Sequence, residues 1–277
     1  QHEWLTSESV RLNTGMRMDY QKDHGWIPSP SASLKVSASD ATTLRFNAGT
    51  GFRIVNLFTE DHAAYSGSRM TVLLEDLDPE RSLNGTVSLQ HVFDINSNPL
   101  TVDLEGFYTY FTNKIEPDYS RPNQIVYANL QGSSTTRGGS LTLSQSLTAL
   151  PITYTVGATL MDVFIEEDGT SQPLEFAPDY QGIVNATYRL PVDMRLDFTM
   201  NLTGPMKLPE YAPPFERDPI SPRFAVHNIQ LTKDIELSTG SLLQPYMAVE
   251  NITNYTQDSP LVAPENPFGE RFDTAYV

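Results

Sequence analysis

Apolar and polar residues take turns along most of the chain. In "VDMRLDFTMNL", Val192, Met194, Leu196, Phe198, Met200 and Leu202 share one parity. Asp193, Arg195, Asp197, Thr199 and Asn201 share the other. Successive strand side chains point to opposite faces, so the spacing predicts a strand with one oily and one wet face. The pattern recurs in "VRLNTGMRMDY" (10–20), "SLNGTVSLQ" (82–90), "TVDLEGFYTY" (101–110) and "ITYTVGATLMDVF" (152–164). Weaker copies lie near 31–38, 42–54, 137–149, 180–190, 223–233 and 243–253, giving about eleven strands and no amphipathic helix. These runs exceed the five or six residues usual in a soluble sheet and approach the 9–11 that a tilted strand needs to cross a bilayer.

The connections sort by length. Short ones are 39–41, 94–99, 150–151, 190–191 and 236–241; long ones are 21–30, 56–79, 113–135, 165–178, 204–222 and 254 onward. In an up-and-down antiparallel sheet this alternation puts every tight turn at one end and every long loop at the other, as in outer-membrane barrels. The oily face is therefore expected to meet lipid and the polar face a wet lumen. Tyr20, Phe46, Phe52, Phe93, Tyr108, Tyr110, Phe111, Phe164 and Tyr188 fall near expected strand ends, where interfacial girdles sit; aromatics are also common in any strand.

Composition narrows the function. With 18 Lys and Arg against 34 Asp and Glu, the net charge of −16 argues against a nucleic-acid partner. The absence of cysteine leaves neither a disulfide framework nor a thiolate metal site. No apolar run is long enough for a transmembrane helix, which does not bear on a barrel. The opening "QHEWLTSESV" has no basic stretch leading into an apolar one, so the reading is of a cytosolic chain or one whose front is missing.

Three ordered motifs carry a resemblance: "LRFNAGTGFRIVNLF" (44–58), "LDPERSLN" (77–84) and "VENITNYTQ" (249–257). Together with "TEDHAAYSGSR", "GPMKLPEY" and "NPFGERFDTAYV", the sequence resembles the barrel of TonB-dependent outer-membrane receptors, particularly the type common in Bacteroidetes. The resemblance implies an all-β fold: antiparallel up-and-down strands forming part of a large, 22-stranded transmembrane β-barrel. It implies a bacterial outer-membrane location, outer-membrane lipid around the wall, and no enzymatic role or cofactor. It further implies that residues 1–277 are a partial barrel domain, roughly the C-terminal half, without the plug, the TonB box or the closing strand. The expected partners are the TonB complex, through that plug and box, and a scarce solute: ferric siderophore, haem, cobalamin or oligosaccharide. The alternative is a soluble extracellular all-β binding module or adhesin.

Within the motifs, Gly49 and Gly51 share the polar parity, where a missing side chain permits a close approach or a bend. Pro79 suits the start of a strand. No nucleophile–base pair, zinc motif or phosphate-binding glycine loop is present. The ligand-binding candidates are Arg53, Asn56, Glu60, Asp61, His62 and Tyr65, at and beyond the end of the first motif in an expected extracellular loop. His62, beside Glu60 and Asp61, suits contact with a chelate; a solvated polar loop is the competing reading. "EDLDPE" groups Glu75, Asp76, Asp78 and Glu80, hard oxygen donors, yet lacks calcium-loop spacing, so no metal site is assigned. Arg11, Arg17, Arg45, Arg53 and Arg195 lie on or near lumen-facing parities, suited to a plug, an anionic ligand or carboxylates such as Asp193 and Asp197.

Overall fold

The computed structural model describes residues 2–55, 70–118, 124–208, 218–238 and 240–256. Its strands, in chain order, are β1 (His2–Ser7), β2 (Val10–Gln21), β3 (Gly25–Ser39), β4 (Thr42–Arg53), β5 (Met70–Leu73), β6 (Glu80–Ile95), β7 (Asn98–Asn113), β8 (Ile115–Asp118) and β9 (Gln124–Asn129). There follow β10 (Gly132–Ser146), β11 (Ile152–Glu167), β12 (Thr170–Pro173), β13 (Tyr180–Leu190), β14 (Met194–Thr203), β15 (Phe224–Lys233), β16 (Ile235–Glu236), β17 (Leu242–Leu243) and β18 (Tyr246–Val249). One 13-stranded antiparallel sheet runs β1-β2-β3-β4-β6-β7-β10-β11-β13-β14-β15-β18, with β12 hung on β11. No described residue is helical. The sheet does not close on itself: β1 and β18 are its two edges.

The register ties the alternation of single strands into two continuous faces. Directly paired residues share a face. Leu44, Leu89, Leu104, Leu141 and Ala158 are partners in turn across five strands. Val156, Val184 and Met200 continue the same parity. The opposite parity carries polar side chains bonded across strands. Asn47 donates to Thr86, Gln90 to Asp103, and Thr187 to Asp197, at 2.9, 2.8 and 2.7 Å. Arg195 donates to Asp197 at 2.8 Å. Packing against protein does not cover the apolar face: Leu83, Leu104, Met16 and Leu160 are 50% or more exposed.

The sorted connections hold. Turns 8–9, 40–41, 96–97, 147–151 and 191–193 and the connection from β15 to β18 gather at one end of the sheet, and the long connections gather at the other with the short β2–β3 turn. Three expectations are corrected. The segment 21–30 is not a long loop; a three-residue turn (22–24) leads straight into β3, with Gly25 at φ 71°. Pro28 and Pro30 misled the reading. In antiparallel pairs hydrogen bonding alternates; counted from the Gln21–Gly25 closure, both prolines fall in the non-bonded pairs with Met18 and Met16. Their missing N–H groups face the side that β4, which pairs with β3 only over Ser31–Ser39, leaves open. The strand of "VDMRLDFTMNL" starts at Met194, because Val192 and Asp193 take left-handed φ values of 64° and 55° and make the turn. The sheet path has twelve strands where about eleven were expected, because His2–Ser7 pairs with β2.

The glycine and proline readings stand. A Cβ on Gly49 would sit 3.3 Å from the Ser31 Cβ, and one on Gly51 3.0 Å from the Ser82 Oγ. Pro79 immediately precedes β6.

Candidate ligand-binding region

Above the long-loop end of the sheet, two apolar clusters organise the connections. The first joins β5, β9 and β8 into a small sheet in which β5 and β9 run parallel. Ile115, Ile125 and Tyr127 are its buried core, with Val55 and Leu77 packed on them. Burial of such side chains, at about 1.5–3 kcal/mol each, is what holds a small sheet down on the barrel rim.

Arg53, the one ligand candidate among the described residues, belongs to the foot of this lobe. Its Nε donates to Glu80 Oε2 at 2.7 Å. The Glu80 side chain is 5% exposed and its other oxygen accepts the Ile115 N–H at 2.9 Å. A buried carboxylate needs such a cation and donor. Arg53 therefore locks the end of β4 to the starts of β6 and β8. Asn56, Glu60, Asp61, His62 and Tyr65 lie outside the described residues.

The acidic stretch 75–80 is tied down by amides, by Arg53 and by the ring of His24. Glu75 accepts the Asn129 N–H at 2.9 Å, and Asp78 lies 3.9 Å from the His24 ring nitrogen of the β2–β3 turn. Asn129 exchanges hydrogen bonds with the Asp78 backbone, accepting from its N–H at 2.9 Å and donating to its carbonyl at 3.1 Å. It also donates to Asn113 Oδ1 at 3.0 Å. Sequence reading passed over Asn113 and Asn129; each ends a strand, and asparagine there is the residue that bonds loop backbone.

The second cluster joins the connections after β12, β14 and β18. Met206, Leu208 and Phe224 are buried, with Phe176, Val226 and Tyr255 against them. Tyr255 stacks on Phe224 at 5.0 Å. Asn251 orders the approach: its side chain donates to the Tyr255 carbonyl at 2.8 Å and accepts the Tyr255 N–H at 2.9 Å. The described parts of these connections thus form two packed clusters on the rim.

Below the rim, the polar face of β2, β3, β4 and β6 bounds a cavity of about 630 Å³ whose lining includes Asn13, Ser31, Ser33, Asn47, Gly49 and Asn84. Of the lumen-side arginines, Arg11 lies 3.9 Å from Glu3, Arg17 pairs with Asp19 at 2.7 Å and Arg195 with Asp197. Asp193, expected in the lumen, lies in a turn beside Lys233, 3.7 Å away.

Aromatics mark both margins of the apolar face. Tyr20 and Trp26 meet at 5.2 Å near the loop end, both 64% exposed. Trp4, Phe93 and Tyr188 lie toward the turn end. Two girdle expectations are corrected. Phe46, paired with Leu34 and Val87, lies in the interior of the apolar field. Phe111, paired with Ser134, is on the polar parity.

Comparison with known proteins agrees with this architecture. Residues 1–249 match the family model described as "TonB dependent receptor-like, beta-barrel". An iron-regulated outer membrane virulence protein of Vibrio cholerae is 31% identical over 115 residues, 41% of this chain and 17% of that protein. The copper transporter OprC superposes with a TM-score of 0.69 at 16% identity, covering 98% of this chain and 44% of its own. The ferric-catecholate import receptor Fiu of E. coli gives 0.64 at 12% identity, covering 98% and 41%. A ferric enterobactin receptor of Pseudomonas aeruginosa gives 0.67 at 18%, covering 91% and 38%. At these identities the superpositions establish the fold, and the chain spans well under half of each relative's length.

Proposed function

Because the chain belongs to the TonB-dependent receptor β-barrel family, we propose that it is roughly half of the barrel wall of an outer-membrane import receptor. Its place is the bacterial outer membrane. The observation that carries the reading is the pair of faces: a broad uncovered apolar face outside, a hydrogen-bonded polar face inside. In a soluble binding module the apolar face would meet water, where exposed apolar patches seldom exceed about 300–600 Å².

In this reading the receptor takes up a scarce solute, such as a metal chelate, cobalamin or an oligosaccharide. The loop end, with the candidate residues Asn56, Glu60, Asp61, His62 and Tyr65 in the connection after Arg53, makes the first contact. A plug, a TonB box and a closing strand belong to the rest of the receptor, and energy arrives through them from the TonB complex. The chain itself contributes binding and a lumen wall, with no bond-making step.

The test is uptake by cells carrying the full receptor gene, its deletion, or deletion plus complementation. Labelled ferric siderophore, haem, cobalamin and oligosaccharide are supplied with and without an active TonB complex. One of these entering only with both the receptor and TonB is the expected result. Equal uptake of all of them by the deletion strain would sink the proposal.

A further inference from the structure

The outer, apolar face is not evenly bulky. Between β3 and β7 it sinks into an apolar cavity of about 670 Å³ floored by Ala32, Ala48, Gly85 and Gly106. Ala32, Ala48 and Gly85 are register partners in turn, and Tyr108 ends their row. Leu34, Phe46 and Val87 form the next row toward the turns, and Gly106 opens a gap after them. Leu83, 53% exposed, stands one same-face step toward the loops.

The chain's own packing does not call for two of these glycines. A Cβ on Gly85 would meet nothing nearer than the Asn47 carbonyl oxygen at 3.7 Å, and one on Gly106 nothing within 4 Å. Neither sits in the left-handed region. On Gly138, by contrast, a Cβ would collide with the Leu160 carbonyl. Glycine weakens a strand interior, and where packing does not require it, it marks the close approach of another group to the backbone.

Position and charge say what that group is. Ala48 stands seven residues from the turn 40–41, and Gly85 eleven from the turn 96–97. At about 3.3 Å per residue and a tilt near 40°, these are roughly 18 and 28 Å above the turns, so the trough climbs to the loop-side edge of an apolar band about 25 Å tall. Two arginines of the same face flank its upper end. Arg137 is the partner of Tyr108, and its side chain is more than half exposed beside Asp162. Arg81, the partner of Phe52, lies four residues beyond Gly85, is exposed, and has no side-chain partner among the described residues. Neighbouring rows stand about 6.6 Å from the floor row, so the trough is one side chain wide. A helix about 10–12 Å across would not reach its floor, whereas a single hydrocarbon chain would.

We propose that this trough binds one phosphorylated glycolipid of the outer leaflet: an acyl chain lies over Ala48, Gly85 and Gly106, and its phosphate meets Arg81 and Arg137. Guanidinium groups suit that phosphate. The site rests on the apolar face being the lipid face of a receptor barrel. It differs from the rest of that face in holding one lipid in place.

Native mass spectrometry of the purified, delipidated full-length receptor tests this, with lipid A and phosphatidylcholine as probes. One lipid A per receptor should stay bound under conditions that strip phosphatidylcholine. Retention should fall roughly tenfold in Gly85→Leu/Gly106→Leu, which fills the trough, and by a similar factor in Arg81→Gln/Arg137→Gln. Val184→Leu, which adds bulk to the same face outside the trough, should match wild type. Folding of each variant is checked by the shift in gel mobility on heating, and the Tm of the double leucine variant should not fall. If wild type holds no lipid A, holds phosphatidylcholine equally, or if the double leucine variant binds as wild type does, the proposal is wrong. A wild-type dimer that separates in the double leucine variant would overturn it too, by assigning the trough to a second copy. A receptor that shows the heat shift yet keeps no lipid sinks this site alone and leaves the barrel reading intact.

Discussion

Arg53 shows how a residue chosen as a ligand contact can serve the wall itself. Its charge sits half in solvent while its partner, Glu80, is almost wholly enclosed. Removing the cation leaves a buried carboxylate with one N–H donor, Ile115. Arg53→Met should therefore destabilise the β5–β8–β9 lobe by about 2 kcal/mol, below the 3–5 of a fully buried pair because Arg53 is exposed. The double variant Arg53→Met/Glu80→Gln keeps an acceptor for Ile115 and removes the orphaned charge, so it should recover more than half of that loss. Amide hydrogen exchange at Ile115 and Tyr127 reads the difference. Equal protection in all three proteins would mean that the pair is ornamental.

At the scale of the element, alternation was legible and chain reversal less so. Parity alone assigned the two faces of β2, β7, β11 and β14, because a bilayer on one side and water on the other leave no tolerance for a one-residue slip. Turn chemistry was harder. Asp168-Gly169, both with positive φ, closes the β11–β12 hairpin, and Asp-Gly is a strong hairpin signal. Its strands reach only to Pro173 on one side, so the whole of 165–178 reads as a loop. Lys35 was missed as a neighbour of Arg11 and Arg45 for a related reason: the row exists only once both hairpin registers are known. The contacts of the connection after Arg53 were beyond reach, since loop sequence specifies contacts through packing that periodicity does not encode.

Two predictions belong to elements. Val192 is a β-branched residue held at φ 64° in the turn before β14. Such a residue resists the left-handed region by roughly 1–2 kcal/mol. Val192→Gly should raise the receptor's stability by about 1 kcal/mol in urea unfolding from detergent micelles, an increment reduced by glycine's greater unfolded-state freedom. No change, or a loss, would mean that Val192 makes a compensating contact. On β7 and β10 the two faces should answer differently to the same substitution. Leu104→Arg puts a cation on the apolar parity, about 50% exposed, at an expected cost of about 2–4 kcal/mol near the bilayer midplane. Thr142→Arg, facing Asp103 and Gly157 across the lumen side, should cost far less. Reversed costs would invert the faces.

At the scale of the whole molecule, the margins of the apolar face fix where the bilayer lies. Arg137 and Asp162 are register partners on the apolar parity, paired at 2.8 Å and both more than half exposed. The Arg137 guanidinium also lies 5.1 Å from the Phe164 ring centre. An exposed ion pair is costly within hydrocarbon and belongs at its edge, among aromatics. From Arg137 down β10 to Ser146 there are nine residue steps. At about 3.3 Å each and a tilt near 40°, that is roughly 23 Å, close to the height of about 25 Å of an outer-membrane apolar band. On β10 and β11 the sheet beyond that pair, including β12, then stands clear of the membrane. These 277 residues contain no cysteine, so single replacements among them meet no native thiol here, and any thiol elsewhere in the receptor is first replaced by serine. Nitroxide labels at Leu104, Leu143 and Val156 should be accessible to oxygen and shielded from a water-soluble nickel complex. Labels at Asp103 on β7, Thr142 on β10 and Thr155 on β11, one residue away on each strand, should show the reverse. A label at Phe164, one apolar step beyond Asp162 on β11, should already be reached by nickel. Were Phe164 as shielded as Leu104, the bilayer would extend higher and Arg137 would lie inside it, which its charge opposes.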